Sequence, residues 1–92
     1  MKKITLIALL LTCFQINAQV GIGTTAPDAG SMLDVTATDK GMLVPRVNLT
    51  SLSTIAPITG STTTSLLVYN TNTTTGAGFY YWDNAITRWV KI

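Results

Sequence analysis

The final third of this chain alternates between two faces, and both faces are aromatic. In Gly78-Phe79-Tyr80-Tyr81-Trp82, Phe79 and Tyr81 fall on one side and Tyr80 and Trp82 on the other, because successive side chains of an extended backbone point in opposite directions. A sheet built on this strand therefore has two apolar faces, and one small core covers only one of them. The flanking sequence supplies the rest of such a sheet. Ser65-Leu66-Leu67-Val68-Tyr69-Asn70 reads as a strand, residues 71–76 as a polar loop, Asp83-Asn84-Ala85 as a tight turn, and residues 86–92 as a strand alternating Ile86, Arg88, Val90 and Ile92 against Thr87, Trp89 and Lys91. Residues 65–92 are thus read as a three-stranded antiparallel meander with its register set by the turn at Asp83-Asn84.

The other end of the chain has a different logic. Met1-Lys2-Lys3 is followed by an apolar run from Ile4 to Phe14 and a more polar stretch with Ile16 and Ala18 before Gln19. This is the pattern of a secretory signal peptide over residues 1–18. Eleven residues are too few to cross roughly 30 Å of hydrocarbon, and Thr12 is large for the position before a lipidated cysteine at Cys13. Cleavage before Gln19 leaves 74 of the 92 residues. The mature stretch has Lys40, Arg46, Arg88 and Lys91 against Asp28, Asp34, Asp39 and Asp83, so its net charge is zero. No basic surface remains for phosphates, and no nucleic-acid partner or membrane span is expected.

Catalysis is expected to be absent on the same grounds. The chain has no His and no Glu, and its one Cys lies in the leader, so imidazole bases, Cys-His pairs and thiolate clusters are unavailable. Neither a cofactor nor a metal ion is expected. The Gly21-Ile22-Gly23 sequence lacks the third glycine and the helix-opening Lys of a phosphate loop. Asp34 and Arg46, each embedded in an extended segment, are read as an ion pair or a solvated face. Asn48 and Asn72 match a glycosylation acceptor formally, a pattern common by chance.

Between the leader and the meander, residues 19–47 form an extended strand region and residues 48–64 a short helix with a Thr-rich loop. Ser31-Met32-Leu33-Asp34-Val35-Thr36 and Met42-Leu43-Val44-Pro45-Arg46-Val47 read as strands joined by a reversal at residues 38–41, the second either at an edge or ended at Pro45, which cannot donate to a ladder. Leu49, Leu52, Ile55 and Ala56, between Asn48 and Pro57, suit one or two helical turns. The mature stretch contains fifteen Thr, which favours extended backbone. The fold class expected is all-β, with short strands, a C-terminal three-stranded antiparallel meander and at most one short helix. A 74-residue chain without disulfide or metal is marginal as a monomer, so oligomerisation is expected to complete it.

The order of "VGIGTTAPDAGSMLDV", "KGMLVPR", "LLVYNT", "GFYYWD" and "RWVKI" resembles secreted Bacteroidota proteins with a Val-Gly-Ile-Gly-Thr head and a closing aromatic meander, similar to phage tail-fibre and trimeric adhesin proteins. The resemblance spans nearly all of residues 19–92. It rests on Val20, Ile22 and Gly23 in the head, Leu33, Asp34 and Val35 in the first strand, and Gly41, Leu43, Pro45 and Arg46 in the second. Leu67, Val68, Tyr69, Tyr81, Trp82, Trp89 and Val90 match the meander. Longer members often end in a self-cleaving chaperone domain, whereas this sequence carries one head and one meander. The resemblance implies a trimer, and a non-enzymatic structural role outside the cell, at its surface or in the periplasm. Leu33, Val35, Leu43, Leu67, Tyr69 and Tyr81 are the expected assembly core. Tyr80, Trp82 and Trp89 are the expected interaction surface, able to stack on a surface glycan or contact a larger fibre protein.

Overall fold

Thr, Val and Ile at short intervals, broken by Gly, Pro and Asn, yield short strands separated by turns. The computed structural model describes residues 3–5 and 19–92. Six strands are formed: β1 (Val20–Ile22), β2 (Leu33–Val35), β3 (Arg46–Val47), β4 (Leu67–Asn70), β5 (Gly78–Asp83) and β6 (Arg88–Lys91). Among the described residues helical backbone is confined to residues 3–5, so the protein is all-β. The expected export signal and Cys13 lie outside the described residues, apart from residues 3–5.

Two compact units divide the chain, Met1–Gly41 and Met42–Ile92. In the first, β1 and β2 pair in parallel, with Val20 opposite Leu33 and Ile22 opposite Val35. Residues 23–32 make the connection, and two aspartates hold it. Asp34 Oδ2 accepts the Asp28 N–H at 2.8 Å, Asp28 Oδ1 accepts the Gly30 N–H at 2.8 Å, and the Asp28 carbonyl accepts the Ser31 N–H at 3.0 Å. The strands therefore do not form the expected reversal of residues 31–36 onto 42–47. The Asp28–Asp34 hydrogen bonds close β2 back onto β1, while β3 joins the other unit. Asp34 itself works as a turn acceptor, with Thr36 Oγ1 donating to its second oxygen at 3.2 Å. Of the two readings of the embedded charges, an ion pair or a solvated face, the exposed Arg46 fits the solvated face; the single ion pair among the described residues is Lys40–Asp39.

Gly23 explains why the head needs its second glycine. It sits at φ +76°, and a Cβ there would overlap the Thr36 carbonyl oxygen. Gly23→Ala is expected to destabilise the β1–β2 pairing by more than about 1 kcal/mol, because strained backbone adds to the overlap. Faster amide exchange at Thr36, whose N–H donates to Ile22 O at 2.8 Å, is the measurement; unchanged exchange would refute it.

In the second unit the sheet order is β3-β4-β5-β6. The expected meander is present as β4, β5 and β6, and β3 adds to it in parallel, Arg46 opposite Tyr69. Pro45 does stand just outside the edge strand, where its carbonyl accepts the Tyr69 N–H at 2.9 Å. The last turn is longer than its sequence suggests: Asp83 pairs with Arg88, so residues 84–87 all lie outside the ladder. Thr87 takes φ +53° there, and Asp83 Oδ1 accepts the Ala85 N–H at 3.0 Å.

The segment expected as a short helix, residues 48–57, is irregular instead. Its backbone groups are used by the sheet: Leu49 N–H donates to Asn70 Oδ1 at 2.9 Å, Leu52 O accepts the Trp89 N–H at 2.8 Å, and Thr54 O accepts Trp89 Nε1 at 2.9 Å. Leu49, Leu52, Ile55 and Ile58 still point one way and pack on the sheet. Three-residue spacing fits a helix, but it fits equally a turning segment laid across strands.

Candidate functional site

Alternation divides the four-stranded sheet into two faces of different fate. The inner face carries Val68, Asn70, Tyr80, Trp82 and Trp89, all buried beneath the residue 47–58 segment, with Leu49 at its centre. Trp82 and Trp89 are cross-strand partners with ring centroids 5.3 Å apart, edge to face, a favoured aromatic geometry. Each polar tip has an acceptor. Trp82 Nε1 donates to Asn84 Oδ1 at 3.2 Å, and Tyr80 Oη to Gly76 O at 2.7 Å. Asn70, fully buried, is the polar centre: its Oδ1 takes Leu49 N–H and Asn72 N–H, and its Nδ2 gives to Thr75 Oγ1 and Gly76 O.

Tyr80, Trp82 and Trp89 were the expected interaction surface, and each is only 2% exposed. In the single chain these three rings are covered and form no exposed stacking surface. The physical reason is the cover: residues 47–58 land on their face and not on the other. Both tryptophans and Val68 share that face with Lys91, whose stem lies over Gly78, so alternation alone does not mark it as the covered one.

The outer face carries the residues that alternation places opposite these. Leu67 and Phe79 are exposed, Tyr69 and Tyr81 half-buried, and Leu67 pairs with Tyr81 and Tyr69 with Phe79. Tyr69 and Phe79 meet edge to face at 5.1 Å. Beside them Met42, Leu43, Val44 and Arg46 line a groove of about 160 Å³ with Tyr69 and Phe79. Leu43, expected in the assembly core, is 78% exposed at its rim. In the first unit, Val20, Ile22, Leu33 and Val35 share one face of the two-stranded sheet by register, each between 45% and 55% exposed. Leu33 and Val35, the other expected assembly residues, thus lie on an apolar surface of the single chain.

The sequons at Asn48 and Asn72 face each other, with Asn72 Nδ2 donating to Asn48 Oδ1 at 2.9 Å. Among the described residues no group of three His, Cys, Asp or Glu side chains could hold a metal ion, and no helix is long and apolar enough to cross a membrane.

Compared with known proteins, residues 21–92 match the family model described as "Phage tail like trimerisation region". No curated protein and no solved structure matches.

Proposed function

Because the chain belongs to the phage tail like trimerisation region family, a structural and trimer-forming group, we propose that it is a secreted, non-enzymatic module that trimerises within a tail-fibre-like or cell-surface assembly. The observation that carries this reading is the pair of uncovered apolar sheet faces. A two-stranded sheet is at best marginally stable in water, and β1–β2 presents Val20, Ile22, Leu33 and Val35 with more than two-fifths of each side chain exposed. Exposed apolar patches of this kind mark interaction sites. Self-association removes them from water without requiring any other partner. Export agrees with the leader pattern of residues 1–18 and with a neutral mature chain rich in Thr.

Sedimentation equilibrium of the exported protein is expected to return three times the chain mass at micromolar concentration. A folded monomer there would overturn the reading. Intact-mass measurement on the same sample is expected to place the first residue at Gln19, and retention of residues 1–18 would remove the cleaved, soluble form of the proposal.

A further inference from the structure

The two compact units differ in what they bury. In residues 42–92 the core of Leu49, Val68, Tyr80, Trp82 and Trp89 lies between the four-stranded sheet and the segment that crosses it, and three or more strands with a covered apolar face suffice for independent stability. Residues 19–41 have no counterpart of that core. None of them is buried, and the half-buried ones are Gln19, Thr24, Pro27, Ser31 and Asp34, with no large apolar side chain among them. Val20, Ile22, Met32, Leu33 and Val35 are each at least 45% exposed. The strands they stand on or beside, β1 and β2, have three residues apiece.

Ordering a backbone costs conformational entropy at every residue, and glycine, here Gly21 within β1 and Gly23 just after it, loses the most. Against that cost stand the hydrogen bonds of the β1–β2 connection, which in an exposed unit replace bonds to water and gain little net. Burial of apolar surface, the dominant favourable term in folding, is missing until something covers Val20, Ile22, Leu33 and Val35. We propose that residues 19–41 take this structure only in the assembled protein, whereas residues 42–92 stay folded when the copies separate. The proposal rests on the trimer reading above and adds a conformational step to it. Assembly and ordering of the head are one event, as when a disordered segment folds on binding. An unassembled chain then carries a folded four-stranded sheet and a loose head, and the β1–β2 pairing distinguishes the assembled state from the free one.

Hydrogen exchange of the full exported chain, above and below the concentration at which the trimer dissociates, tests it. The Val20 and Thr36 N–H groups, which donate to Met32 O and Ile22 O, are expected to exchange at least about a hundredfold faster in the dissociated chain than in the trimer. The Tyr69, Trp82 and Trp89 N–H groups, which donate to the Pro45, Leu66 and Leu52 carbonyls, are expected to stay protected in both. Slow exchange at Val20 and Thr36 in the dissociated chain would overturn the proposal and leave the trimer standing, as would fast exchange there in the trimer itself. Loss of protection at Trp82 on dissociation would overturn it too, by making the whole chain one cooperative unit. Gly23→Ala gives an independent answer. It is expected to raise the midpoint concentration for trimer dissociation about tenfold, through the strain it adds to each head. The urea unfolding midpoint of the dissociated variant is expected to match that of the dissociated wild type, because the head takes no part in that transition. A dissociation midpoint that does not move, or a dissociated variant that unfolds at lower urea, refutes the proposal. A chain that is monomeric at every concentration removes the trimer reading as well.

Discussion

Trp82→Ala is expected to lower folding stability by about 3–5 kcal/mol, the cost of removing a large aromatic side chain from a packed core. Trp82 is almost wholly buried, meets Trp89 edge to face and donates its indole N–H to Asn84. Its backbone also ties in residues 65 and 66: Ser65 N–H donates to Trp82 O, and Trp82 N–H to Leu66 O. A domain of this size holds roughly 4–11 kcal/mol in total, so a single truncation consumes a large part of it. The measurement is a urea unfolding midpoint at fixed protein concentration, because assembly contributes to apparent stability. Phe79→Ala, on the other face, provides the contrast. It is expected to weaken assembly more than it shifts the unfolding midpoint of the dissociated chain. If Trp82→Ala costs under about 1 kcal/mol, the inner face is not the core.

Asn70→Ala is expected to cost about 2–4 kcal/mol without creating a large cavity. The loss comes from hydrogen bonds. Asn70 Oδ1 accepts from Leu49 N–H at 2.9 Å and Asn72 N–H at 3.0 Å, while Nδ2 donates to Thr75 Oγ1 at 3.1 Å and Gly76 O at 3.0 Å. Leu49 is itself fully buried, and an unpaired buried N–H costs about 1–3 kcal/mol. Thr75 Oγ1 donates to Leu49 O at 2.6 Å, so removing the amide loosens the loop and the covering segment together. Thermal unfolding and hydrogen exchange at Leu49 report the two parts separately. Asn70→Leu restores volume but no polar partner. Wild-type stability in Asn70→Leu would show that the network contributes nothing net.

These two residues also show how far the sequence could be read. The alternation of residues 78–82 and 86–92 was sufficient to place β5 and β6, and the turn between them, to within a few residues. It was equally sufficient to separate Tyr80, Trp82 and Trp89 from Phe79 and Tyr81. It could not say which set lies inside. Side-chain period two distinguishes the faces of a strand but assigns neither of them to a core. That assignment came from residues 47–58, which are held by Trp89 Nε1 on Thr54 O and by Asn70 on Leu49, contacts spanning 35 and 21 residues of chain. No local pattern near Asn70 marks it as a buried hub, because Asn in Tyr69-Asn70-Thr71-Asn72 looks like ordinary turn chemistry.

The same distinction separates the first two strands from their expected partners. The pieces at residues 31–36 and 42–47 are extended, and the Asp39-Lys40-Gly41 link could reverse the chain between them. Yet β2 pairs with β1 and β3 with β4, both in parallel. Two carboxylates acting on backbone N–H groups decide the first choice, and Pro45, Tyr69 and Val47 decide the second, with Tyr69 N–H on Pro45 O and Thr71 N–H on Val47 O.

By itself the sequence determined that this protein is all-β, that its strands are short, and that it has more apolar sheet surface than one small core can cover. Those properties depend on near neighbours: strand propensity, alternation and chain length. Only the tertiary structure decided which strands pair, which aromatic face is buried, and which is left for another molecule. Those choices depend on where distant segments satisfy their backbone hydrogen bonds, and a buried N–H must find an acceptor wherever the chain folds to provide one.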